Sequence, residues 1–224
     1  MISQNQAFLD EISISGCDFD NSALAANLSE SAIHITLNIK LTSIAISDNS
    51  FKSFAWNDNS PATIYISDNA VLETASLSLN EISMCGGESP TSPNADFGGI
   101  YLNQGNRVIL DANEISGNTG KKSGAGYLKA EEVLFSDNIF QDNRNNYTGN
   151  ENFAGAFTIT AGNRIEADGD TFGNNFSAKS AGALYIESKS NANPVDLLFS
   201  GITLEANGAA NEGGAILINA TLDT

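Results

Sequence analysis

Basic residues are scarce in this chain. Ten lysines and arginines stand against 27 aspartates and glutamates, for a formal net charge of −17. A surface of that sign repels nucleic acid and anionic membrane, so neither is expected as a partner. Proline is also scarce, at 4 in 224 residues, which leaves most backbone amides free to donate to a sheet. No stretch approaches the ~20 apolar residues of a membrane-spanning helix. The opening MISQNQAFLD has neither a basic n-region nor an apolar h-region and reads as no signal peptide. The chain is then expected to be either cytoplasmic or a piece of a longer secreted chain. Charged residues amount to only 17% and apolar ones to 41%, which excludes a disordered acidic tail. Asparagine is abundant, at about one residue in eight.

The sequence repeats. An apolar-x-apolar step, a four-residue gap, an apolar residue and then a small or polar residue three later recur in seven blocks. They are 7–17, 44–54, 75–85, 108–118, 133–143, 165–175 and 197–207, with a mean step of about 32 residues. A second series keeps the same order: SAIHI (31–35), ATIYI (62–66), GGIYL (98–102), GAGYL (124–128), GAFTI (155–159), GALYI (182–186) and GAILI (214–218). Each unit thus holds three short segments with period-two alternation and no helical periodicity. Strands so short cannot form a sheet alone. They can wind around an axis, each turn pairing with the next at ~4.8 Å. The expected fold is all-β: a right-handed, single-stranded parallel β-helix of about seven rungs, one domain over residues 1–224. The repeats favour a secreted fragment over a cytoplasmic chain.

Asparagine fills two places of the repeat. The third gap position holds Ile12, Asn49, Asn80, Asn113, Asn138, Asp170 and Ile202. The closing position holds Cys17, Phe54, Cys85, Asn118, Asn143, Asn175 and Asn207. Asparagine tolerates left-handed backbone in such bends, and stacked amides can bond along the axis. The small pair Gly213–Gly214 lies where the chain re-enters a strand, and is expected to let the loop approach the neighbouring rung.

Repeated GGA(I/L/V) and FxxN pairs are the signature of the chlamydial polymorphic membrane proteins, and this chain resembles their passenger region. Literal matches are FSDN (Phe135, Asn138), FQDN (Phe140, Asn143), FGNN (Phe172, Asn175) and GGAI (Gly213, Gly214, Ala215, Ile216). Relaxed matches such as GGIY (98–101) and AGAL (181–184) place the clearest motifs in 98–224. The resemblance implies an autotransporter: a β-helical adhesin on the bacterial surface, carried by an outer-membrane barrel absent from these residues. It implies that the motif residues serve adhesion, that the partner is a host-cell surface protein, and that the helix continues past Thr224. Open rung edges lead to an expectation of end-to-end self-association.

Catalysis is not expected. Lyases and glycosidases on this fold need clustered carboxylates with calcium or arginine beside them. The acids of the bends read as solvated, and none of the three arginines, Arg107, Arg144 and Arg164, shares a rung face with paired acids. His34 has no serine or cysteine that the repeat sets beside it. No metal, no cofactor and no catalytic residue are expected. For binding, the outward place of the third strand reads His34, Tyr65, Tyr101, Tyr127, Thr158, Tyr185 and Leu217. Tyr65, Tyr101, Tyr127 and Tyr185 are the candidate surface, since exposed tyrosines anchor protein partners. The alternative role is structural: the rings stack on each other, or lie under the loops, and stiffen the wall. The loops 86–97 and 144–153 offer a further surface. A non-adhesive spacer is the competing function. Cys17 and Cys85, read as the same place two rungs apart with Phe54 between, are expected to be free and buried.

Overall fold

A computed structural model describes residues 9–20, 31–37, 41–54, 62–68, 72–86, 96–146, 149, 151–190 and 194–220. Every regular element among them is a β-strand, and every pairing between strands is parallel. The strands stack in columns. The first holds Leu9–Ser15, Leu41–Ser47, Leu72–Ser78, Arg107–Asp111, the later halves of Gly126–Ser136 and Phe157–Asp168, and Asp196–Ser200. The second holds seven strands: Asp18–Asp20, Ser50–Lys52, Glu81–Ser83, Glu114–Ser116, Ile139–Gln141, Thr171–Gly173 and Thr203–Glu205. The third holds Ile33–Leu37, Ile64–Asp68, Ile100–Asn103, the early halves of the two long strands, Leu184–Ser188 and Ile216–Asn219. A four-stranded strip joins the second to the third in the later rungs. Each circuit visits the columns in the same order, which makes a parallel β-helix.

Alternation builds the core. In the first column Ile44, Ala75, Val108, Val133 and Ile165 are in register, two residues before Ile46, Leu77, Leu110, Phe135 and Ala167. In the second, Phe51, Ile82, Ile115, Phe140 and Phe172 stack. All belong to one buried apolar cluster. A one-residue slip would turn each of these side chains to solvent, so burial pins the register.

The first rung departs from the expected alignment. Ile12, Ile14 and Phe19 pair with Ile44, Ile46 and Phe51. The sequence offers two windows five residues apart with the same apolar spacing, Ala7/Leu9/Ile14 and Ile12/Ile14/Phe19. Packing selects the second, in which Phe19 stacks flat on Phe51 at 4.8 Å. Cys17 therefore stands in the place of Asn49, and Ile12 leaves the asparagine column. The expected equivalence of Cys17 and Cys85 is corrected: they occupy different columns. Both are free, but only Cys85 is buried, while Cys17 is partly exposed. Burial pushes the Cys85 thiol up to about 11, against a smaller opposing effect of the Thr63 hydroxyl. A bulky thiol reagent at about pH 8 should label Cys17 in the native protein and Cys85 only after unfolding, giving two groups in all. Immediate labelling of both would remove Cys85 from the core.

The two asparagine columns form hydrogen-bonded ladders. Asn80 Oδ1 accepts from the Asn49 amide N–H at 3.1 Å and from Asn49 Nδ2 at 3.0 Å, while Asn80 Nδ2 donates to Asn113 Oδ1 and to the Ile46 carbonyl. The pattern continues through Asn113 and Asn138 to Asp170. The second ladder starts at the Cys85 amide and runs through Asn118, Asn143, Asn175 and Asn207. The buried ladder amides among the described residues are thereby bonded. The left-handed residue is the one before each ladder position, not the asparagine itself as expected. Asp48, Leu79, Ala112 and Asp137 precede the first ladder, and Gly117, Asp142, Asn174 and Ala206 the second, all at φ between 50° and 64°. The asparagines are required for their side chains.

Asp170 is the exception. Its Oδ1 accepts from Asn138, but Oδ2 is buried with no partner. In the rungs below, the amide nitrogen at this place donates to the carbonyls of Leu77 and Leu110, and the next in that register is Phe135. Burial raises the Asp170 carboxyl above its ordinary value and the charge of Asp137 adds to this, against the Asn138 donors. The native state therefore holds the proton more tightly than the unfolded chain. Asp170 is fully tolerated below the unfolded value of about 3.9, and stability is lost as pH rises through the raised native value. Asp170→Asn should accordingly stabilise the protein by about 1–3 kcal/mol at neutral pH, and should gain far less at about pH 3. Urea unfolding at both pH values checks this. An equal gain at both would refute the protonation argument.

Candidate binding groove on the third column

The outward residues of the third column stack as the alternation demands. His34, Tyr65, Tyr101, Tyr127, Thr158, Tyr185 and Leu217 are paired in register, one per rung. Their neighbours on either side, such as Ile64 and Ile66 or Ile100 and Leu102, are buried and hold the strand to the core. Tyr65 stacks on Tyr101 at 5.1 Å and 7°, and Tyr101 on Tyr127 at 5.6 Å and 21°, while His34 meets Tyr65 edge-on. Phe97 lies against both Tyr101 and Tyr127. Thr158 is buried, and its hydroxyl is tied to the Ser123 hydroxyl at 2.8 Å and to the Ala154 amide.

The tyrosines stand outside the wall as alternation requires, and they also stack and lie partly under the loops, as the alternative role supposes. Tyr65, Tyr101 and Tyr127 are half-buried, and Tyr185 is only 4% exposed. The column is outside the helix wall, but neighbouring loops fold over it. What remains open is a groove of about 600 Å³, lined by Tyr65, Tyr101, Tyr127, Thr158 and Tyr185 on the wall and by Asp96, Phe97, Lys122, Glu151, Asn152, Phe153 and Glu187 around it. The ends of both loops singled out in the sequence, 96–97 and 151–153, supply part of this rim. Residues 87–95, 147, 148 and 150 of those loops lie outside the described residues.

The groove is aromatic and acidic. The one amine among its described lining residues, Lys122, pairs with Asp96 at 3.2 Å. Burial pushes the Tyr101 hydroxyl up to about 12, with Tyr65, Tyr127 and Asp96 adding to the shift. Burial also raises Tyr127, against its bond with Thr160. These phenols therefore remain neutral hydrogen-bonding groups near pH 7. The rim residues had little signal in the sequence. Glu187 shares the outward face two residues after Tyr185, and Phe97 directly precedes a GGI motif; Asp96, Lys122 and Phe153 share the place two residues before the aligned Gly98, Gly124 and Gly155, but the residue type there changes from rung to rung.

The motif residues lie elsewhere. Phe135, Phe140 and Phe172 are interior, as are Asn138, Asn143 and Asn175. Their place is in the core and the ladders. Gly213, Gly214, Ala215 and Ile216 lead into the last described strand, with Gly214 in register with Gly182. In the earlier rungs the crowded place is the one aligned with Gly214, held by Gly98, Gly124, Gly155 and Gly182, but a Cβ on Gly214 itself would meet nothing nearer than 3.9 Å. Gly213, whose counterparts include Phe97 and Ser123, has left-handed backbone at φ 54°, and a Cβ there would stand 2.9 Å from the Leu217 Cβ. On the first column, Arg107 pairs with Glu132 at 2.6 Å and Arg164 with Glu166 at 2.6 Å. The expectation that no arginine shares a rung face with paired acids is corrected, since alternation sets Arg164, Glu166 and Asp168 on the same outward face of one strand. Among the described residues no group of three or more His, Cys, Asp or Glu forms a metal-holding cluster.

A family model described as a right-handed beta helix region matches residues 2–219. No curated protein and no solved structure matches the chain.

Proposed function

We propose, for a chain that belongs to the right-handed β-helix family, an adhesive role: a passenger segment of an autotransporter at the bacterial cell surface, binding a host-cell surface protein. The observation that carries this reading is the groove of about 600 Å³ along the tyrosine column. Its rings are fixed by strand register and by stacking, so little side-chain entropy is lost on binding. Aromatic anchors in a concave setting are what protein partners use most. The resemblance of the FxxN and GGA(I/L/V) repeats to the chlamydial polymorphic membrane proteins supports the surface setting, with an outer-membrane barrel elsewhere in the parent chain. In this reading the groove binds and does not cleave.

The competing reading is a spacer that projects another domain. The ring stack and the continuous ladders favour it, since both stiffen the wall. Beads coated with the protein separate the two. The adhesive reading expects them to attach to cultured epithelial cells and to be displaced by the soluble protein. Beads that attach no better than albumin-coated ones would leave the spacer.

A further inference from the structure

The groove already holds one cation. The Lys122 ammonium, 3.2 Å from the Asp96 carboxylate, lies 5.9 Å from the centre of the Phe97 ring and 5.6 Å from that of Phe153. Ring faces beside a carboxylate are a seat for positive charge. A second set of these parts lies farther along the column. Glu187 is half-buried, its Oε1 accepting from the Thr160 hydroxyl at 2.7 Å and its Oε2 from the Tyr185 hydroxyl at 3.4 Å. Those bonds position the carboxylate without neutralising it. Among the described residues, the ion pairs of the basic side chains go to other acids than Glu151 and Glu187. Beside Glu187 the ring stack is interrupted, because Thr158 lies in register between Tyr127 and Tyr185. Two rung spacings, about 9.6 Å, separate those two strands.

The geometry points to an arginine side chain of a partner polypeptide as the group this part of the groove takes. A guanidinium is planar, stacks on aromatic rings and donates in bidentate fashion to a carboxylate, so it can use Tyr127, whose hydroxyl bonds Thr160, together with Glu187, which accepts from the same Thr160. Among the described residues Asp96, Glu151 and Glu187 line the groove against one lysine, Lys122, in a chain of net charge −17. That field draws in a basic segment and repels an acidic one. The inference rests on the adhesive reading: the arginine belongs to an exposed basic segment of the receptor.

The test is a calorimetric titration with capped penta-arginine, capped penta-citrulline as its neutral isostere, and capped penta-lysine. Penta-arginine should bind, penta-citrulline should not, and penta-lysine should bind more weakly. Glu187→Gln, which keeps the Thr160 bond, should weaken penta-arginine about tenfold. Glu205→Gln, the same charge change at an exposed site on the second column, should leave it unaltered. Absence of penta-arginine binding, equal effects of the two variants, or equal binding of penta-lysine would each overturn the assignment. Bead attachment that survives Glu187→Gln overturns this inference and leaves the adhesive reading. Absent bead attachment with Glu187-dependent peptide binding does the reverse.

Discussion

Truncating Phe140 to alanine should lower the stability of this protein by about 3–5 kcal/mol, measured by urea unfolding. Phe140 is the central residue of the short strand Ile139–Gln141 and is completely buried. Its ring meets Phe172 at 4.8 Å, Phe157 at 5.1 Å and Phe135 at 5.5 Å, so three rings lose a partner at once. The site cannot collapse to fill the space. Phe172 is one rung up, fixed by the pairing of its strand, and the Asn143 and Asn175 ladder holds the adjacent bend. A cavity that persists costs more than transfer alone. Phe176→Ala is the internal control. That ring is 36% exposed and lies under the Arg144 guanidinium at 5.2 Å, so its loss should cost less than about 1 kcal/mol. Equal losses from the two variants would place Phe140 outside the core.

The second large effect is expected from a single methyl group. A Cβ on Gly124 would stand 2.4 Å from the Arg144 nitrogen and 2.7 Å from the carbonyl oxygens of Asn118 and Gly155. All three are backbone atoms, and all three belong to two hydrogen bonds that tie neighbouring turns: Gly124 N–H to Gly155 C=O and Arg144 N–H to Asn118 C=O, each 2.9 Å. No side chain can swing away to make room. Gly124→Ala should therefore cost about 3 kcal/mol or more, at the upper end of overpacking. The same place at Gly98, Gly155 and Gly182 is equally crowded by the following rung. At Gly214, in the last described rung, the nearest atom is Asn207 O at 3.9 Å, so Gly214→Ala should change little. Equal costs at 124 and 214 would mean that backbone freedom, and not the close approach of rungs, selects glycine here.

These two effects explain what could be read from the sequence. Interior alternation and the tyrosine column were legible because a parallel stack copies each register into the next, as the unbroken series from His34 to Leu217 shows. The first rung misled because Ala7/Leu9/Ile14 and Ile12/Ile14/Phe19 carry the same spacing; the Phe19–Phe51 stack and the bond from the Cys17 amide to Asn49 Oδ1 select the second. The left-handed backbone was assigned to the asparagines because their bonding role and their turn preference point to the same bend. The groove was half legible. Its wall follows the repeat; on the rim Asp96, Lys122 and Phe153 share one place, two residues before the aligned Gly98, Gly124 and Gly155, but carry no common residue type, and Glu151 lies farther back in a loop of its own length.

Whether the groove is the working surface can be tested with the fold left intact. Glu151, on the groove rim, and Glu205, on the second column, are both exposed, so each can be changed to cysteine in a Cys17→Ser background and capped with a bulky polyethylene glycol maleimide. The two labelled proteins have equal charge and equal added bulk. Coated on beads and presented to epithelial cells, the protein capped at position 151 should fail to attach while that capped at 205 attaches like the unlabelled chain. Attachment by both, or loss by both, would contradict a binding site in the tyrosine groove.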